Sequence, residues 1–173
     1  MRILVLISNI NYQKKNMKKN LVYIVLFLLV ATNVFSQDIV KKDGKYLDNK
    51  NNPFTGIYKE YYQNGSLHVE MSLKNGLQDG LTIIYFENSV KNEQRSYKEG
   101  QKDGTWITWN EKNLKLAEAN YTDGEKHGIW LIWDENGVLR YEMEYTLGIK
   151  SGIWKMYNEM GELVSQKDYS KTE

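Results

Sequence analysis

Residues 128–151 read GIWLIWDENGVLRYEMEYTLGIKS, and the reading of this stretch decides the fold. Gly128-Ile129-Trp130-Leu131-Ile132-Trp133 has the length and residue types of a β-strand. Glu135-Asn136-Gly137 carries turn residues, and Leu139 to Tyr145 alternates apolar with polar side chains as a second strand. The chain then turns again through Gly148. One such stretch is a β-hairpin with a connection to the next element.

The neighbouring stretches on both sides are the same hairpin. Gly56, Gly80, Gly104, Gly128 and Gly152 stand 24 residues apart. Gly76, Gly100, Gly124 and Gly148 keep the same period four residues earlier. Five residues after each repeat glycine comes an aromatic: Tyr61, Tyr85, Trp109, Trp133, Tyr157. Two residues after it come Tyr58, Thr82, Trp106, Trp130 and Trp154. Leu73, Tyr97, Tyr121, Tyr145 and Tyr169 close the units. A fixed period of this length is the signature of a repeat architecture. The predicted fold is all-β, a single-layer antiparallel β-meander of tandem 24-residue β-hairpins. Five units occupy 56–173. Residues 37–55, with Gly44-Lys45-Tyr46-Leu47 and a turn-rich Asp48 to Pro53, read as a capping half-repeat. The polar tail Ser170 to Glu173 ends the array with charge that discourages edge pairing.

Turn chemistry gives an expected register. A two-residue type I′ loop at the hairpin tip needs positive φ at both central residues, which Lys112-Asn113 and Met160-Gly161 resist. A three-residue loop needs it only at Gly65, Ser89, Asn113, Gly137 and Gly161. With that loop, odd offsets from the repeat glycine share one face, which for the fourth unit collects Ile129, Leu131, Trp133, Leu139, Tyr141, Met143 and Tyr145. This face is expected to be the core. Tyr58, Trp106, Trp130 and Trp154 then fall on the opposite face, among Glu118, Arg140 and Glu142. They read either as a structural ladder or as an exposed aromatic strip that binds a partner. The connection between hairpins is expected to have an odd loop length as well.

Met17 opens a leader-like segment, MKKNLVYIVLFLLVATNVFSQ, with Lys18 and Lys19 before an unbroken apolar run from Leu21 to Ala31. Eleven apolar residues are short for a membrane span, which takes ~20. Val34 and Ser36 suit the −3 and −1 positions of a cleavage site before Gln37. Residues 1–36 are thus expected to be an upstream extension plus signal peptide, and the mature chain to be exported to the periplasm or beyond. The 36-residue segment holds five basic residues and no acid, so its loss leaves 18 basic against 22 acidic residues, a net charge of −4. A mildly acidic chain has no general attraction to nucleic acid or to an anionic membrane.

The pattern G-x-W-x-x-[YW], a turn, then Y-x-x-G-x-K-x-G, seen in GTWITWNEKNLKLAEANYTDGEKHG and GIWLIWDENGVLRYEMEYTLGIKSG, resembles MORN-type repeats. It is similar to the bacterial variant found in YwqK-family antitoxin-like proteins, and the lead-in DGKYLDNKNNPFTG is similar to the N-terminal cap of that group. The resemblance covers residues ~43–169. It implies a scaffold that binds proteins or lipids, and its antitoxin label implies a toxin protein as partner.

The residues offer little for catalysis. The chain has no cysteine, so thiolate chemistry and Cys-based metal sites are excluded. His68 and His127 sit at different offsets with no HExxH near them, and they read as surface or hairpin-edge histidines. Gln63, Glu87, Glu111, Glu135, Glu159 and Glu70, Gln94, Glu118, Glu142, Gln166 form two columns that repeat with the scaffold. A catalytic pair of carboxylates would be singular, so these read as solvated structural columns. The expectation is a non-enzymatic repeat scaffold with no cofactor and no metal, binding a protein partner, with an antitoxin- or immunity-like role as its finer form. The alternative expectation is an envelope protein that holds membrane headgroups or glycan on its aromatic strip.

Overall fold

The computed structural model describes residues 38–170. The expected leader, the cleavage site before Gln37 and the last three residues lie outside the described residues. Most of each repeat is strand, as the alternating pattern requires. The strands are β1 (Val40–Lys42), β2 (Lys45–Leu47), β3 (Gly56–Tyr61), β4 (Leu67–Lys74), β5 (Leu77–Tyr85), β6 (Lys91–Lys98) and β7 (Gln101–Lys102). They continue as β8 (Gly104–Trp109), β9 (Lys115–Thr122), β10 (Glu125–Lys126), β11 (Gly128–Trp133), β12 (Leu139–Thr146), β13 (Ile149–Tyr157) and β14 (Leu163–Asp168). β1 pairs with β2. All the others form one antiparallel meander in the order β3-β4-β5-β6-β8-β9-β11-β12-β13-β14, with β7 on β6 and β10 on β9. The all-β repeat fold read from the sequence is the fold observed.

The hairpin tips have the expected three-residue loop. In the fourth unit the Asp134 amide donates to the Val138 carbonyl at 3.0 Å, and the Gly137 amide donates to Asp134 at 2.9 Å. Positive φ falls at Gly65, Ser89, Asn113, Gly137 and Gly161, the five positions that a type I turn ending in a left-handed residue demands. Asx side chains hold these loops. The Asp134 carboxylate accepts from the amides of Asn136 at 2.9 Å and Val138 at 3.0 Å. Asn110 and Asn158 do the same for their own tips.

Two expectations about register are corrected. The connection between hairpins has an even loop: Lys74 pairs with Leu77, Lys98 with Gln101, Thr122 with Glu125 and Thr146 with Ile149. Both central residues of each take positive φ, as in Asp123-Gly124 and Leu147-Gly148, which makes them type I′ turns. More consequential is a β-bulge just inside every hairpin tip. Trp133 pairs with Leu139, as the three-residue loop dictates, but Ile132 pairs with Tyr141 and Trp130 with Met143, leaving Arg140 as the extra residue. A one-residue slip moves a strand's side chains to the other face. Beyond the bulge, even offsets of the first strand therefore share a face with odd offsets of the second. Trp106, Trp130 and Trp154 lie on the same side as Tyr121, Tyr145 and Tyr169, not opposite them.

A single layer buries little. Among the described residues the buried apolar ones are Val69, Met71, Leu73 and Tyr145. Three of these form a cluster in the first unit, with Tyr46 and Phe54 of the N-terminal segment and Tyr58 packed against it. Cap and array are tied by main-chain bonds: the Gly76 amide donates to Phe54 and the Tyr46 amide to Gly76, each at 2.8 Å. The same link then repeats along the array, from Gly100 to Gln78, Gly124 to Lys102 and Gly148 to Lys126, each at 2.8 Å. Each turn is thus bonded to the unit before it, which accounts for units contacting chiefly their neighbours.

Candidate functional site

The feature that spans several units is an aromatic ladder on one face. Tyr97, Trp106, Tyr121, Trp130, Tyr145, Trp154 and Tyr169 succeed one another with ring centroids 5.0–5.3 Å apart. Interplanar angles of 52–62° make these tilted and edge contacts, the geometry that aromatic quadrupoles favour. The bulge causes this: it brings each repeat's Trp between its own closing Tyr and that of the unit before. The indole N–H groups are fixed too. Trp106 donates to Ser96 O at 2.9 Å, Trp130 to Asn120 O at 2.9 Å and Trp154 to Glu144 O at 3.0 Å. The repeat glycine makes room for this close stacking of units. At Gly104, where φ is +87°, an added Cβ would come within 3.2 Å of Ser96 Cβ.

Lysines stand over the ladder. Lys102, Lys126 and Lys150 each place the ammonium 4.4 Å from the centroid of Trp106, Trp130 and Trp154 respectively. The same ammoniums lie 4.7–5.2 Å from Tyr121, Tyr145 and Tyr169. Lys167 approaches Tyr169 from the last strand at 4.9 Å. In the first two units the same column holds Phe54, which packs on the capped core, and Gln78, which donates to Thr82 at 3.2 Å. The ladder is interrupted there, since Leu73 and Thr82 replace Tyr and Trp.

Beside the ladder, toward the hairpin tips, runs an apolar row. Ala117 pairs with Ile132, Ile132 with Tyr141 and Tyr141 with Met156. Ile132 is 38% exposed, Tyr141 42% and Met156 39%. The opposite face also exposes large residues, Ile57, Leu81, Ile129 and Ile153. Those are separated by the polar partners Ser72, Ser96, Glu144 and Asp168. Single apolar residues set among polar ones are ordinary surface, whereas a contiguous patch marks an interaction site.

The four residues expected to touch a partner have different surroundings. Trp106, Trp130 and Trp154 are half-buried rungs of the ladder, and Tyr58 belongs to the capped first unit, its hydroxyl donating to Glu60 at 2.8 Å. Burial, and then Glu60, push the Tyr58 phenol up to about 12. The residues expected as core on the odd face are split. Tyr145 is buried on the ladder side, while Trp109 and Trp133 lie on the other face, under Lys91 at 5.9 Å and Lys115 at 5.4 Å. The carboxylate columns do not converge into a site. Glu70, Glu118 and Glu142 pair with Lys59, Lys115 and Lys155 at 2.7–3.0 Å. His127 accepts the Leu147 amide at a long 3.4 Å, and His68 stacks on Tyr62 at 4.4 Å. Among the described residues no group of three or more His, Asp or Glu is arranged to hold a metal ion. The lysine column is the functional candidate that sequence reasoning passed over, although the K of the Y-x-x-G-x-K-x-G pattern marked it.

Two stretches of the chain, residues 54–75 and 126–146, match the MORN repeat variant. Both stretches are similar to repeats of MORN type. The first covers the unit under the cap, and the second covers the fourth hairpin with the ladder rungs Trp130 and Tyr145. MORN-type repeats are generally non-catalytic and mediate contacts with proteins or membranes. No curated protein matches the chain.

Proposed function

We propose that this chain is a protein-binding scaffold that works through the ladder face of its third to fifth units. The observation that supports the reading is the continuous run of Trp and Tyr rings flanked by the exposed row Ile132, Tyr141 and Met156, on a sheet face with no second layer over it among the described residues. Aromatic residues at the centre of an apolar patch are the usual anchors of protein interfaces. Tyr58 is left out of this surface because the cap covers it. Trp106, Trp130 and Trp154 form its floor.

In its finer form the proposal is an exported protein with an antitoxin- or immunity-like role toward a toxin partner. The leader-like segment from Met17 to Ser36 and the resemblance to YwqK-family antitoxins support it. N-terminal sequencing of protein from the cell envelope should give Gln37, and an intact Met1 or Met17 there would rule the export reading out.

The surface itself is tested by displaying a random peptide library against immobilised protein. Peptides should be selected whose capture is lost on Ile132→Asn with Tyr141→Asn and kept on Ile129→Asn, which changes the opposite face. Selection that depends on Ile129, or on neither face, would refute the assignment.

A further inference from the structure

The lysine column adds a chemical preference to that surface, and the inference rests on the ladder face being the one that binds. Charge is segregated between the two faces in the last three units. The ladder face there carries Trp106, Thr108, Ala117, Ala119, Tyr121 and their counterparts in the next two hairpins, with Lys102, Lys126, Lys150 and Lys167. The one carboxylate that borders them on this face, Glu93 opposite Thr108, is paired with Arg95 at 2.6 Å, and Arg95 itself lies over Trp106. Glu118, Glu142, Glu144 and Asp168 are all on the other face. None of the ion pairs formed by the described residues uses Lys102, Lys126, Lys150 or Lys167. In a chain whose mature part is net acidic, four unpaired cations on one aromatic face form a local field of the opposite sign.

The field is a line. Lys102, Lys126 and Lys150 repeat once per hairpin, hence every second strand, which at standard strand spacing is ~9.6 Å. Each ammonium is held over two rings, so its position is fixed along that line. A polyproline-II chain advances ~3.1 Å per residue with three residues per turn, so every third side chain recurs at ~9.3 Å on one side. The two repeats agree to within ~0.3 Å per step. Chains of this conformation also dock on aromatic-lined surfaces without a large ordering cost. We propose that the ladder face binds an extended acidic peptide segment that crosses the strands, with a carboxylate at every third position meeting Lys102, Lys126 and Lys150 in turn. Its intervening residues lie on the Trp and Tyr rings and on the row Ile132, Tyr141 and Met156.

The probe is a synthetic peptide of repeated Glu-Pro-Pro. Controls are the same composition with its glutamates in one block and the Gln-Pro-Pro analogue. Heparin and phosphatidylglycerol vesicles represent a polyanionic glycan and an anionic membrane. Calorimetry on the mature chain should show binding of the periodic peptide that weakens with salt and is at least several-fold tighter than that of the block peptide. Lys102→Gln, Lys126→Gln and Lys150→Gln should each reduce it by about two- to fivefold, the size of an exposed ion pair, with a cooperative unfolding transition retained and its midpoint lowered only slightly by the lost cation–π contact. Equal binding of the periodic and block peptides would overturn the proposal. So would indifference to all three substitutions, or binding to heparin or vesicles with none to the peptide. The salt dependence of the unsubstituted protein decides the matter if a variant does not fold. Should peptide display select ladder-dependent sequences that are not acidic, this inference falls and the protein-binding reading stands. Should no selected sequence depend on the ladder face, the binding reading falls first.

Discussion

Trp130→Ala should destabilise the protein far more than Trp133→Ala. The Trp130 indole contacts Tyr121 at 5.2 Å and Tyr145 at 5.3 Å. Two such ring pairs are worth ~1–3 kcal/mol together. Its N–H satisfies the Asn120 carbonyl at 2.9 Å, and loss of that bond costs ~1 kcal/mol. Lys126 sits 4.4 Å from the ring and adds ~0.5–1 kcal/mol. Burial of half an indole adds ~2 kcal/mol. These terms overlap, and the expected total is ~3–5 kcal/mol, the usual range for a packed aromatic. Trp133 is half-buried on the other face, makes none of the ring contacts and has Lys115 at 5.4 Å, so its removal should cost ~1–2 kcal/mol. Equilibrium urea unfolding gives both numbers, provided the m-values agree. A cost for Trp133→Ala equal to or above that for Trp130→Ala would refute the bulged register and restore the one read from the turns alone.

Other substitutions probe the same register and its turns. Leu147 adopts φ of 46° in an exposed type I′ turn, so Leu147→Asn should raise stability by ~0.5–1 kcal/mol in the same urea experiment. The amides of Val138 and Asn136 hold the Asp134 carboxyl below its usual range. Its contribution is therefore present above the unfolded pKa and lost as pH falls through the folded one, and Asp134→Asn, which resembles the protonated acid, should lower stability at neutral pH and flatten the acid side of the stability profile. Tyr58, raised by burial to about 12, contributes stability that is complete below the unfolded value of 10.0 and is lost as pH rises toward 12. Tyr58→Phe should remove that alkaline loss in pH-dependent thermal melts. Deleting residues 104–127 should leave a cooperatively folding shorter protein by circular dichroism, whereas deleting half a unit should not, because it reverses the next strand.

The period, the hairpins and the three-residue tips were legible because each is written locally. Gly137 and its equivalents stand where a left-handed residue is needed, and Asp134, Asn110 and Asn158 stand where a tip amide needs an acceptor. The faces were not legible, because the extra residue of the bulge, Arg140 in one unit and His68, Asn92, Leu116 and Val164 in the others, has no common chemistry. Alternation alone cannot reveal where parity changes. A physical cue was nonetheless present. Trp and Tyr columns each recur at every second strand, ~9.6 Å apart, which leaves room between successive indoles for one phenol ring when the two columns share a face. The lysine at the second position before Gly104, Gly128 and Gly152 drew no reading from the sequence, because only the ladder places a Trp beneath it.

A double-mutant cycle on Trp130 and Tyr145 tests the ladder most directly. Their rings meet at 5.3 Å in the structure. Truncating each alone and both together should return a coupling of ~0.5–1.5 kcal/mol. Trp133 and Tyr145 lie on opposite faces and should show no coupling above ~0.3–0.5 kcal/mol, the scatter for independent sites. Coupling in the Trp133 pair and none in the Trp130 pair would contradict the ladder.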